Sequence, residues 1–185
     1  NSCTEKSGIT TTTQLEDRKS VTYNFDSNID LAKMIDYVNK ASQKSYNNRQ
    51  CNCGKNCGSF ASLILDTSNQ YNIPDPVLLL SLMMQESSCK IDAQLGSSYG
   101  LMQIEESTFN DICKDKINGI NSLDDIKGTG NIKNNVECGA KILRTKYDQF
   151  KDGKIFQGCI QKNVKYYEWE AALRGYVGWG CAKGH

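Results

Sequence analysis

The chain has 185 residues, enough for one domain with a sizeable core and a lead-in. Its 22 basic and 21 acidic side chains nearly cancel, with 38% apolar and 23% charged residues, which excludes a broad field for nucleic acid or a membrane surface. Nine cysteines are too many for a reduced cytosolic enzyme of this size, so the expected setting is oxidising.

Residues 1–27 are polar and rich in Thr and Ser, with no sustained period, and are expected to be a tail or lead-in with little core. Only "SVTYNF" at 20–25 alternates as a strand does. From residue 28 onward a single compact helical domain is expected, reaching 185. Leu31, Met34, Ile35 and Val38 recur at helical spacing, and Asp26, Ser27 or Asn28 are the candidate caps. The run "CNCGKNC" places Cys51, Cys53 and Cys57 close together; it lacks the C-x-x-C pairs of zinc sites, and disulfides are the better reading. Their connectivity is open, and Cys3 is the candidate for the odd thiol.

"GSFASLILDTSNQYN" reads as a second helix, with Phe60, Leu63 and Ile64 on one face. "IPDPVLLLSLMMQESS" reads as a third: Pro76 suits its first turn, Asp75 its cap, and apolar residues all round mean burial on most sides. "STFNDICKDK" is expected to be a short helix capped by Ser107, and 117–130, with Gly119, Gly128 and Gly130, a loop. Ile132, Val136, Ala140, Leu143 and Tyr147 form the stripe of another helix, and "YYEWEAALRGYVGWG" ends the chain's helical pattern. The fold class is mainly α. No apolar run approaches the roughly 18 residues of a membrane span. No basic and apolar leader opens the chain either, so export requires a leader ending before Asn1 or lying outside this sequence.

The third helix delivers Glu86 to the edge of an apolar run. Burial disfavours the charged carboxylate and raises its pKa, which is the state a general acid needs at neutral pH. Taken alone, that position also suits a solvated or salt-bridged helix end. Its company narrows the choice: "QESS", a short Gly- and Ser-containing loop, then "SYGLMQI", with Gln103 seventeen residues beyond Glu86. This segment resembles the catalytic segment of soluble lytic transglycosylases and goose-type lysozymes. Downstream, "NIKNNVECGAKIL" from Asn131 is similar to that family's N-I-x-x-G-x-x-Y-L helix with an insertion before Gly139, and "AALRGYVGWG" to its A-x-x-A-Y-N-x-G segment. The resemblance covers about residues 58–180 and departs at Val177, where the family's Tyr-Asn pair has its asparagine.

The resemblance implies a lysozyme-like fold with a substrate cleft, stabilised here by disulfides, and an enzyme acting on the MurNAc–GlcNAc β-1,4 bond of peptidoglycan. It implies no cofactor and no metal, glycan strands as the partner, a monomer, and a secreted or otherwise extracytoplasmic location. Carried over by position, Glu86 is the general acid and Gln103 contacts the sugar or its N-acetyl group, with a tie to the loop as the competing role. Tyr176 brings its hydroxyl near Glu86, with a core aromatic as its alternative, and Ser97 or Ser98 is the loop serine. Met102 lines a sugar subsite or merely packs with Leu101, and Tyr99 and Trp179 offer ring faces. A hydrolase that inverts needs a second carboxylate, for which Glu105 is the first candidate and Asp92 the second; a lytic transglycosylase closes a 1,6-anhydro ring with one. Glu105 and Glu106 also suit the first turn of the helix near Ser107. The rival readings are a non-catalytic glycan- or partner-binding relative, and a disulfide-rich structural protein whose match is chance.

Overall fold

The structure, a computed structural model, describes residues 16–17, 25–26, 28–156 and 164–178. Six helices and two small three-stranded sheets make up these residues, so the mainly α expectation holds. The lead-in contributes β1 (Glu16–Asp17), and Phe25 packs against the core. The strand expected at 20–25 lies outside the described residues apart from Phe25.

Helix α1 (Leu31–Gln43) starts from Asp30, whose carboxylate accepts from the Lys33 N–H at 2.8 Å. The cap is therefore later than Asp26, Ser27 or Asn28, because a capping oxygen must stand directly before the first helical residue. The buried face also turns from the one expected: Met34, Val38 and Ala41 point inward, while Leu31 and Ile35 are exposed. After α1 the chain reverses at Tyr46–Arg49, whose backbones exchange two hydrogen bonds across Asn47 and Asn48, both at positive φ. Two consecutive left-handed residues form the tight hairpin turn that asparagine tolerates.

Helix α2 (Cys57–Gln70) packs against α1 and buries Phe60, Ala61 and Ile64. Helix α3 (Val77–Ser87) begins after Pro76; Asp75 accepts from the Val77 N–H at 2.8 Å, as its position predicts. Leu79, Leu80, Leu82, Met83, Met84 and Ser87 are all buried, so α3 is the central helix. The chain then forms a meander of β2 (Gln94–Leu95), β3 (Ser98–Tyr99) and β4 (Ile104–Glu105), with Ser98 opposite Glu105 and Tyr99 opposite Ile104.

β4 runs directly into α4 (Glu106–Thr108), which continues as a π-helical turn, Phe109–Cys113. Ser107 is thus inside the first turn rather than its cap; extended Glu105 is the boundary residue. The loop at 117–130 contains two single turns, and Ser122 and Asp125 cap each other across the first. Helix α5 (Ile132–Phe150) buries Val136, Ala140 and Leu143 along the expected stripe, with Ile132 and Tyr147 at its partly buried ends. β5 (Lys154–Ile155) pairs with β6 (Val164–Tyr166), which also takes β1 in parallel, and α6 (Glu168–Val177) packs on α5.

Three disulfides staple the described residues: Cys51–Cys89, Cys53–Cys57 and Cys113–Cys138. The sulfurs of the "CNCGKNC" run are all spent in these bonds. Cys3, Cys159 and Cys181 lie outside the described residues.

Candidate active site

The site starts at the C-terminal end of α3. Ser88 and Cys89 both take left-handed backbone, and their N–H groups return to the carbonyls of Met84 and Met83 at 3.0 Å, closing the helix. Cys51–Cys89 and the bond from Asn52 N–H to the Ser88 carbonyl, 2.8 Å, hold this end from the other side. Glu86 sits in the last turn, where the negative end of the helix dipole disfavours a carboxylate.

Glu86 Oε1 is buried with no hydrogen-bond partner among the described residues. Burial pushes the carboxyl up from 4.5 to about 7, against the pull of the Arg49 guanidinium. An acid in that range holds its proton at neutral pH and releases it readily, as general acid–base work requires.

Opposite α3, the β2–β3–β4 meander turns through Gly100 and Gln103, both at positive φ. A buried asparagine fixes this turn. Asn135, on α5, accepts from the Met102 N–H at 3.0 Å and donates to the carbonyls of Tyr99 and Ile126, each at 3.0 Å. The fit leaves no spare room: a Cβ on Gly100 would stand 2.2 Å from the Asn135 amide nitrogen, and one on Gly139 would stand 2.6 Å from Met102 Cγ. The glycine of the Gly-Leu-Met-Gln turn and the glycine of α5 are both required by close approach.

Tyr176, near the end of α6, donates its hydroxyl to the Met102 carbonyl at 2.9 Å. Burial, and then the charge of Glu86, hold its pKa well above the ordinary tyrosine value, which places the phenol within electrostatic reach of the carboxyl. The Met102 backbone is therefore gripped on both sides: its N–H by Asn135 and its carbonyl by Tyr176.

The family profile described as Transglycosylase SLT domain matches residues 62–178. The chain belongs to the Transglycosylase SLT family. Comparison with curated proteins and with solved structures returns no match. The SLT assignment bears out the resemblance read from Glu86 to Tyr176 and the lysozyme-like fold, and it makes peptidoglycan the substrate class. Among the described residues no helix is long and apolar enough to cross a membrane, and the disulfides fit an extracytoplasmic setting.

The hydrogen bonds of Asn135 move one register of the sequence reading. Read from Asn135, the sequence Asn-Val-Glu-Cys-Gly-Ala-Lys-Ile-Leu fits N-I-x-x-G-x-x-Y-L with no insertion, ending at Leu143. Asn131, from which the motif is first read, instead uses its side chain to hold the carbonyls of Asp124 and Lys127. Asn135 thus holds the Gly-Leu-Met-Gln turn in place, a contact that the pattern reading missed and that a shift of four residues would have pointed to.

The remaining expected site residues differ in their surroundings. Gln103 spends its amide nitrogen on the loop, donating to Ala93 and Gly100 carbonyls at 3.0 and 2.9 Å, and keeps its amide oxygen for other partners. Met102 is fully buried and packs on Gly139, so its side chain offers no cleft surface; close packing has claimed it. Ser98 and Tyr99 are half-buried on β3, with the Lys127 ammonium 4.3 Å from the Tyr99 ring centre. Glu105 is exposed on β4, and Asp92 is exposed before β2. Trp179 lies outside the described residues.

Proposed function

We propose that this protein cleaves the β-1,4 bond between N-acetylmuramic acid and N-acetylglucosamine, with Glu86 as the general acid. The observation that carries this reading is the Glu86 carboxyl: half-buried, with Oε1 sealed from solvent and without a hydrogen-bond partner among the described residues, and protonated up to about pH 7. In cleavage, Glu86 gives its proton to the glycosidic oxygen as the C1–O bond breaks and positive charge builds on the muramoyl ring. The carboxylate left behind then takes the proton of the muramoyl 6-hydroxyl. That oxygen closes on C1 to give a 1,6-anhydro end, and Glu86 is restored. No water enters, and one carboxyl performs both transfers. Ser98, Tyr99, Gln103 and Tyr176 are the proposed contacts to the glycan, Gln103 through its amide oxygen.

Hydrolysis is the second reading, favoured by the acidic Glu105 two residues beyond Gln103. There Glu105 activates a water on the far face of the ring, and the product carries one more water. Secretion and a monomeric state belong to both readings.

The experiment is clearance of a cell-wall suspension by the wild type and by Glu86→Gln, followed by mass spectrometry of the released fragments. Clearance by the wild type and its loss by about a hundredfold or more in Glu86→Gln is the expected result, consistent with removal of a general acid. Fragments lighter by one water mark ring closure; hydrated ends mark hydrolysis. Equal clearance by both proteins overturns the role of Glu86, and clearance by neither favours a glycan-binding domain.

A further inference from the structure

A cavity of about 450 Å³, within the range of small-ligand sites, is lined by Gln85, the chain neighbour of Glu86, and by Arg49. One wall comes from α3 and α6; the other comes from α1 and the Tyr46–Arg49 turn, which precede the family-matched residues 62–178. The second wall is thus this chain's own addition. The floor is aliphatic, built from residues such as Leu80 and Met84, and it includes Val177, which stands where the family's asparagine is expected. With valine there, that part of the lining is apolar. The rim is cationic, with Lys40 and Arg49. Lys40 shares its charge with Asp36 at 2.6 Å, while the exposed Arg49 guanidinium has no hydrogen bond or ion pair among the described residues.

We infer that this cavity binds the acidic peptide stem carried by the muramoyl residue, with alanyl methyl groups on its aliphatic floor and stem carboxylates at Arg49 and Lys40. The proposal rests on the glycosidase reading for its placement. The lactyl ether that carries the stem is on the same sugar whose C1–O bond Glu86 protonates, so the stem must leave the reacting centre within a few ångströms. Gln85, the neighbour of Glu86, lines the cavity at that end. From Gln85 the cavity runs back along α3 to Val77, about 12 Å at the helical rise. An extended peptide of about three or four residues covers that distance. A bare sugar chain offers the rim a single lactyl carboxylate per muramoyl residue, close to the ring, and no run of side-chain methyls or second carboxylate to follow α3.

The test uses the full chain carrying Glu86→Gln, so that ligands bind without turnover. It is titrated calorimetrically with N-acetylmuramoyl tripeptide, with the same compound fully amidated, and with the peptide-free disaccharide. The free acid is expected to bind at least tenfold tighter than the other two. Ser81→Trp, which fills the cavity from an exposed position on α3, and Arg49→Gln, in an exposed turn, are each expected to erase that margin while leaving disaccharide binding unchanged. Equal affinity for the three ligands overturns the proposal, as does a margin that survives both variants. So does a Ser81→Trp protein that loses disaccharide and muropeptide equally, because the cavity is then a sugar groove. Wild-type cleavage of peptide-stripped strands is scored in parallel. Strands cut with no binding margin sink the cavity alone, and a margin without cutting sinks the glycosidase reading alone.

Discussion

Glu86 is held where its charge is least welcome: in the last turn of a buried helix, with one oxygen sealed from solvent and the guanidinium of Arg49 offsetting only part of that cost. That placement has a thermodynamic signature. The carboxyl titrates near 4.5 when the chain is unfolded and at about 7 when folded. Between those values the folded protein keeps a proton that the unfolded chain has released, so stability falls as pH rises through this window. Well above pH 7 the full penalty is present, about 3 kcal/mol from the size of the shift. Glu86→Gln removes the ionisation and should be more stable than the wild type by about that amount at pH 8. Below about pH 4.5 the two proteins should converge, since both then carry a neutral side chain. Urea denaturation at pH 4 and pH 8 measures this, and a difference that is the same at both pH values would rule out a desolvated Glu86.

Between elements, the site depends on one asparagine that ties the α5 helix to the meander. Removing the Asn135 side chain strands the Met102 N–H and weakens the hold on the Tyr99 and Ile126 carbonyls in a buried place. Asn135→Ala should therefore cost about 2–4 kcal/mol, more than one ordinary hydrogen bond, because buried groups are left unsatisfied. Since Tyr176 grips the other side of Met102, wall clearance per folded molecule should fall as well, measured beside thermal melting; unchanged melting and clearance would show the clamp to be incidental. The reason Asn135 escaped the sequence reading is physical. A polar residue inside an amphipathic helix looks like part of its wet face, and only the long-range contact to Met102 reveals it as buried. The helices themselves were legible because their stripes are local: Val136, Ala140 and Leu143 fall where the period puts them. Glu86 and the Gly-Leu-Met-Gln turn were legible because their residue types are demanded by chemistry and by close approach. Arg49 and the cavity were not, since they depend on how a turn outside the family segment folds back over α3.

Across the whole molecule, the disulfides decide which parts move together. Cys113–Cys138 fastens the turn after α4 to α5, one residue before the glycine that receives Met102. Cys51–Cys89 fastens the segment preceding the family-matched residues to the end of α3, three residues beyond Glu86. Cys53–Cys57 closes a loop with a sequence separation of only 4, against 38 for Cys51–Cys89. In the chain-entropy account a crosslink stabilises more as its loop lengthens, giving about 4 kcal/mol for the long loop and about 2 for the short one. Replacing Cys51 and Cys89 by serine should thus lower the melting temperature more than replacing Cys53 and Cys57. It should also lower clearance and stem binding together, because that bridge joins the segment two residues beyond Arg49 to the helix end three residues beyond Glu86. Differential scanning calorimetry of the two double variants under non-reducing conditions gives the order. If the short-loop variant melts lower, or if the long-loop variant binds and clears as the wild type does, the N-terminal segment is not what holds the acid and its cationic neighbour in register.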